Sequence, residues 1–161
     1  MERWAESVER VAAALRQGRV DARIEEFPEG TPTAEATAKA VGCATGQIVK
    51  SLLFVCDGRP TLALVPGDRR ADGDKVAAAA GARKARMAKR DEVFAVTGVE
   101  PGAVAPFPAP RVDRVLIANE LLGHELVWVG AGSVRHVAGL TPSDVIRMSS
   151  AVPADLCEEC G

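Results

Sequence analysis

Lys50 is the residue of this chain whose type and setting most invite chemistry. It stands in Ile48-Val49-Lys50-Ser51-Leu52-Leu53-Phe54-Val55-Cys56, a strand pattern, and Asp57-Gly58 after it is a hairpin turn signal. Successive strand residues face opposite ways. Ile48, Lys50, Leu52, Phe54 and Cys56 therefore share one face, and Val49, Ser51, Leu53 and Val55 the other. Both faces are apolar, as in a central strand buried on both sides. An ammonium is costly to bury without a partner. Two readings of Lys50 stand on this pattern. It lies at a strand end or edge and reaches water, or it stands at the mouth of a pocket. There it binds an anion or, with a lowered pKa, acts as a base.

Three further patterns could carry chemistry, each with a plainer reading beside it. Thr97-Gly98-Val99-Glu100-Pro101-Gly102-Ala103-Val104-Ala105-Pro106-Phe107 spaces two glycines and a proline four apart. Such a loop can offer backbone N–H and C=O groups to a ligand, or simply connect two elements. Arg83, Lys84, Arg86, Lys89 and Arg90 form a basic run that could meet phosphates, or a solvated face balanced by Asp91 and Glu92. Cys157-Glu158-Glu159-Cys160 supplies half of a tetrahedral zinc site. Cys43 and Cys56 could complete it only through folding, and the pair does not open a helix as a redox pair would. A solvent-exposed tail is the expectation, with no metal. His124 and His136 form no metal motif. There is no Walker A loop, no G-x-S-x-G and no H-E-x-x-H. Two histidines without a nucleophile elbow argue against a Ser–His–Asp triad.

The elements that must position these residues follow from periodicity and caps. Trp4, Val8, Val11 and Leu15 predict an amphipathic helix over 4–17, ended by Gly18. Residues 22–27 alternate as a short strand. Pro28-Glu29-Gly30-Thr31-Pro32 is a turn, and Thr33 caps a helix over 34–41 closed by Gly42. Thr61 to Val65 returns as the hairpin partner of the Lys50 strand. Asp72 or Asp74 starts an Ala-rich helix that stops at Gly81, and a short helix covers 90–96. Residues 112–117, 125–129 and 135–140 read as strands, and Thr141-Pro142 opens a helix over 142–148. Residues 149–161 read as irregular. Many strand links are too short for helical crossovers, so an α+β class is expected rather than a doubly wound one.

Composition bounds the function. The chain has 161 residues, 47% apolar and 26% charged, as one folded domain would. Its 20 basic and 22 acidic residues leave a net charge of −2, so contact with nucleic acid must be local. Two Trp, four Phe and no Tyr are too few for a stacking platform. No apolar run approaches the roughly 18 residues of a membrane helix. Met1 to Glu6 shows no signal-peptide core, so a cytoplasmic location with mostly reduced cysteines is expected.

Several segments in their order resemble a known family. They are Thr33-Ala34-Glu35-Ala36, Gly46-Gln47-Ile48-Val49-Lys50-Ser51-Leu52-Leu53-Phe54, Thr97-Gly98 through Pro106-Phe107, Trp128 with Ala131-Gly132-Ser133, and Leu140-Thr141-Pro142. Residues 22–148 resemble the YbaK / prolyl-tRNA-synthetase-associated domain family, free-standing relatives of the bacterial prolyl-tRNA synthetase editing domain. The resemblance implies a single α+β domain around a mixed, barrel-like sheet. It implies hydrolysis of amino acids wrongly attached to tRNA, chiefly proline tRNA carrying alanine, cysteine or serine, with no cofactor, metal or covalent nucleophile. By the resemblance Lys50 is the catalytic residue, holding the terminal adenosine and its ester, while a water or the free ribose hydroxyl drives hydrolysis. Thr31, Ser51, Gly98, Gly102, Ala103, Val104, Pro106, Phe107, Gly132 and Ser133 would bind substrate. Arg69, Arg70, Arg83, Lys84 and Arg86 would meet the tRNA. The partners implied are aminoacyl-tRNA and a synthetase, with no membrane and no DNA. The organisation expected is an N-terminal helix over 1–20, the deacylase domain over 21–150 and a CxxC tail over 151–161.

The chain departs from the family in Gly102-Ala103, where Gly-Gly is common, and in Pro106-Phe107-Pro108-Ala109, where Pro-Phe-Gly-His is common. An acidic residue is usual near Ala118, with Asn119 and Glu120 nearby here. These departures keep a second reading open, a non-catalytic tRNA- or synthetase-binding module. A third is a zinc- or redox-linked regulator built on Cys157 and Cys160.

Overall fold

The computed structural model describes residues 4–31 and 33–159. In chain order its elements are α1 (Glu6–Gln17), β1 (Arg23–Glu26), α2 (Ala34–Val41), β2 (Val49–Cys56), β3 (Arg59–Pro66), α3 (Gly73–Ala80), β4 (Ala85–Met87), α4 (Arg90–Thr97), β5 (Arg114–Ala118), β6 (Val127–Ser133), β7 (His136–Leu140), α5 (Pro142–Ser149) and β8 (Val152–Ala154). A short 3-10 turn, Pro101–Ala103, lies between α4 and β5. The caps explain the helix bounds. Thr33 Oγ1 accepts the Ala36 N–H and Thr141 Oγ1 the Asp144 N–H, while the Asp72 carboxylate accepts from Asp74 and Lys75. Asp57 and Gly58 both have positive φ, 49° and 82°, the two-residue turn that matches the twist of a hairpin.

The α+β class with mixed strand pairing is as expected, and the strands form two bridged sheets. Five strands run in the order β4-β2-β3-β5-β8 and three in the order β1-β7-β6. β2 and β3 are antiparallel over their whole length, while β3–β5 and β5–β8 are parallel. One bridge, Ile48 to Trp128, joins the sheets. Strand alternation sorts the larger sheet onto two apolar clusters. Val49, Leu53, Leu62, Leu64, Val115 and Ile117 face one with α1, β6 and β7. Phe54, Cys56, Ala63, Val65 and Leu116 face the other with α3. β2 is thus buried on both sides, as its two apolar faces predict. No helix among the described residues is long and apolar enough to cross a membrane.

Two segments differ from the sequence reading. The basic run contains a strand, β4, because Ala85 to Met87 pairs with the Cys56 end of β2. Residues 151–159 are not an irregular solvated tail. β8 pairs with β5, and Leu156 and Cys157 are fully buried against Val76 and Leu116. Pro153 hides this strand from a propensity reading, and β8 tolerates it because it is the sheet's edge. Cys160 lies outside the described residues.

Because Leu156 fills a core position, Leu156→Ala is expected to cost about 2–5 kcal/mol and lower the thermal midpoint by roughly 10 °C. Thermal denaturation followed by circular dichroism checks this. An unchanged midpoint would mean that the segment contributes nothing to the core.

Candidate active site

A cleft of about 390 Å³ opens along β2. Its position follows from strand pairing. One edge of β2 is fully covered by β3. The other edge pairs with β4 only from Phe54 to Cys56 and meets β6 only at Ile48. Between these contacts the edge is open, and Ile48 to Leu52 line the cleft. An edge, unlike a face, gives access to side chains from both sides of a strand. Lys50 and Ser51 point opposite ways and still border the same cavity. The start of α2 forms a second wall, and β6 and β7 a third.

Lys50 is half-buried. Its Nζ donates a hydrogen bond to the Arg69 carbonyl, 2.5 Å away. Burial, helped by the nearby Arg70 charge, holds the ammonium below the ordinary lysine range, against the pull of Asp68. The segment that offers this carbonyl is itself fastened. The Glu158 N–H donates to the Arg70 carbonyl, the Arg69 guanidinium to the Glu158 carbonyl, and the Asp72 N–H to the Leu156 carbonyl. Arg69 also pairs with Glu120 at 3.3 Å.

Ser51 is 9% exposed, and its Oγ is buried without a hydrogen-bond partner among the described residues. A buried hydroxyl left unpaired costs about 1–3 kcal/mol, so it marks a place where a ligand group can be received.

The remaining expected site residues divide. Thr31, Gly102, Val104 and Ser133 border the cleft with Lys50 and Ser51. The 3-10 turn reaches it because Gly130 of β6 has no side chain: a Cβ there would stand 2.7 Å from the Val104 carbonyl oxygen. Gly98, Ala103, Pro106, Phe107 and Gly132 do not border it. Gly98 ends α4 at φ 79°, and Phe107 is a core residue, 2% exposed. Gly132 takes a positive φ where Ser7 donates to its carbonyl at 2.6 Å. The family resemblance led to their expectation at the pocket; here Gly98, Ala103, Pro106 and Phe107 belong to the packing of their own loop and Gly132 to β6. Arg69 and Arg70 lie beside Lys50. Arg83, Lys84 and Arg86 flank the Cys56 end of β2, six residues and about 20 Å along the strand from Lys50. Arg86 is moreover held by both oxygens of Glu92, at 2.8 and 2.9 Å.

Cys157 is buried, and burial followed by its contact with Glu120 pushes its thiol up to about 11. It is a protonated packing group at neutral pH. Among the described residues no three of His, Cys, Asp and Glu converge as a metal set.

One polar constellation was missed from the sequence. Ser133 Oγ lies 2.5 Å from His136 Nδ1, and His136 Nε2 lies 2.8 Å from Glu26 Oε2. Ser133 and His136 both border the cleft. The three residues lie up to 110 positions apart, and only the pairing of β1, β7 and β6 brings them together. A Ser-x-x-His spacing just before the strand expected over 135–140 was the one available signal.

Comparison with known proteins identifies relatives of this chain. The family model for the aminoacyl-tRNA editing domain matches residues 28–148. A proline–tRNA ligase of Nitratidesulfovibrio vulgaris (strain DP4) is 33% identical over 150 residues, covering 87% of this chain but 26% of the ligase. The chain thus spans about a quarter of the ligase's length. YwhH of Bacillus subtilis (strain 168) is 32% identical over 138 residues, covering 84% of this chain and 87% of YwhH. A crystal structure described as a "putative trans-editing enzyme for prolyl tRNA synthetase" superposes with a TM-score of 0.89 at 34% identity, covering 98% of this chain and all of that one. The chain belongs to the aminoacyl-tRNA editing domain family.

Proposed function

We propose that this protein hydrolyses the ester of misacylated tRNA in trans, with proline tRNA carrying alanine, cysteine or serine as the substrate class. The observation that carries the reading is the pairing, in one cleft of an editing domain, of a tethered ammonium with an unpartnered buried hydroxyl. Lys50, with Arg69 and Arg70 beside it, suits the phosphate and ester of a terminal nucleotide. Ser51 Oγ can bond the substrate directly. An aminoacyl ester is already activated, so orientation and stabilisation of the tetrahedral oxyanion supply most of what hydrolysis needs. The cleft volume falls at the lower end of small-molecule sites, roughly 300–1,000 Å³. A confined cavity admits a small wrong residue and excludes a bulkier right one, as a second sieve must.

The binding-module alternative rests on the departures at Ala103 and Pro108. Both side chains lie away from the cleft, so they do not argue against catalysis in it.

Proline tRNA charged separately with alanine, cysteine, serine and proline tests the reading. One wrong ester is expected to be lost rapidly and the proline ester spared. Lys50→Ala is expected to keep the fold and lose hydrolysis by at least about 100-fold, since such charge stabilisation is commonly worth that much. Full activity in folded Lys50→Ala would remove the lysine from the mechanism. No loss from any ester, with salt-sensitive tRNA binding retained, would favour the binding module.

Ser51→Ala separates function from stability. Deleting an unpartnered buried hydroxyl is expected to leave the thermal midpoint unchanged or raised. The same variant should bind and turn over the ester less well. A lowered midpoint would show instead that the hydroxyl is a structural donor.

A further inference from the structure

Glu26, His136 and Ser133 stand directly opposite one another on three neighbouring strands. Directly paired residues project on one face, which is why their side chains meet. The hydrogen bonds assign their protons. The Glu26 carboxylate only accepts, so it takes the Nε2–H of His136. In the neutral ring Nδ1 is then an acceptor, and the Ser133 hydroxyl donates to it. The imidazole is held firmly. It is 6% exposed, and the Trp4 ring meets it edge-on with centroids 5.6 Å apart. Ser133 Oγ also accepts the Arg135 N–H at 3.0 Å, which leaves that oxygen one acceptor position. Ser133 ends the stretch where β6 bulges between Gly130 and Ser133, a distortion that re-aims side chains.

We propose that Glu26, His136 and Ser133 form the proton relay for ester hydrolysis in the cleft. The inference rests on the deacylase reading and adds the group that accepts the proton. Lys50 does not fill that role while its ammonium donates to the Arg69 carbonyl, because an ammonium has no lone pair. In the forward step a water oxygen forms a bond to the ester carbonyl carbon, and the carbonyl π pair moves onto its oxygen. One water proton passes to Ser133 Oγ as the Ser133 proton passes to His136 Nδ1. The Glu26 carboxylate offsets the resulting imidazolium through Nε2–H. On collapse the bond from carbon to the ribose oxygen breaks and its electron pair stays on that oxygen. The proton returns from His136 through Ser133 to the ribose hydroxyl. Water is the sole co-reactant, and Ser133 forms no covalent bond to the acyl group. Ser133 touches the reacting water and is a catalytic residue, while His136 and Glu26 act through it.

A row of hydrogen bonds that merely staples β1, β7 and β6 together would look the same at rest. The experiment therefore compares kcat, KM and thermal midpoint on proline tRNA charged in turn with alanine, cysteine and serine, for the wild type, Ser133→Ala, His136→Gln and Glu26→Gln. Glutamine at position 26 keeps an acceptor for Nε2–H but carries no charge, so it guards against a variant that fails to fold. Ser133→Ala and His136→Gln are expected to lose at least about 100-fold in kcat, as general acid–base groups do. KM should stay within about twofold, and Glu26→Gln should show a smaller loss in kcat alone. The wild-type kcat should depend on the deuterium fraction of the solvent with the curvature of several protons in flight, and Ser133→Ala should lose that curvature. Ser133→Ala and Glu26→Gln proteins with wild-type kcat would overturn the relay and leave the deacylase reading standing on Lys50. Absence of turnover by the wild type would remove both.

Discussion

The open stretch on the second edge of β2 is the constraint on which the site depends. Backbone N–H and C=O groups demand partners, and a strand in the middle of a sheet finds them on both sides. β2 does so only at its ends, because β4 is three residues long and the pairing with β6 is the single Ile48–Trp128 bridge just before β2. Two features keep β6 from closing the gap. β6 loses register between Gly130 and Ser133, and the turn Pro101–Ala103 is wedged against Gly130. Filling the gap with one more strand would bury Lys50 in a continuous sheet. Leaving it open lets two consecutive residues with opposite orientations meet one ligand.

The segment that holds the Lys50 ammonium is itself fastened by a part of the chain beyond the family match, which ends at residue 148. The acceptor is the Arg69 carbonyl, and residues 69–72 are laced to residues 156–158 by backbone and side-chain hydrogen bonds. Lys75 adds bonds to the Cys157 carbonyl and the Asp155 carboxylate. Cys157 belongs to this clasp as a buried neutral thiol packed beside Leu156. The β8 segment closes the smaller apolar cluster and, through the same contacts, fixes where the cation stands.

Much of the fold was legible in the sequence because local signals and burial agreed. Thr33, Asp72 and Thr141 cap the helices they were expected to start, and Asp57-Gly58 makes the turn its composition demands. The two faces of β2 follow from alternation alone. What could not be read depends on contacts distant in sequence. β4 and β8 are three-residue strands whose existence is decided by their neighbours rather than by their own propensity. The glycine and proline loop was legible as special backbone, but not which of its residues would turn inward, so Phe107 and Gly98 were expected at the cleft and lie elsewhere. The Glu26–His136–Ser133 row needs the register of three strands, and register is not a local property.

In the reaction proposed above, the two sheets divide the chemistry between them. The larger sheet contributes positive charge and a free hydroxyl through β2, and the smaller contributes an acceptor through Ser133. An ester held by its phosphate against Lys50 must project toward β6 and β7, because the β3 side of β2 is closed. Its carbonyl carbon then lies between a cation, which favours the oxyanion, and an oxygen backed by an imidazole, which favours removal of a proton. Neither group needs to be strong, since the effective concentration of two oriented reactants can itself supply about 7–11 kcal/mol of a barrier. The distance between the walls therefore matters alongside the residues that stand on them. Gly130 sets that distance where the Pro101–Ala103 turn crosses β6. The smallest side chain there would press on the Val104 carbonyl, so this glycine sets how closely the two walls approach.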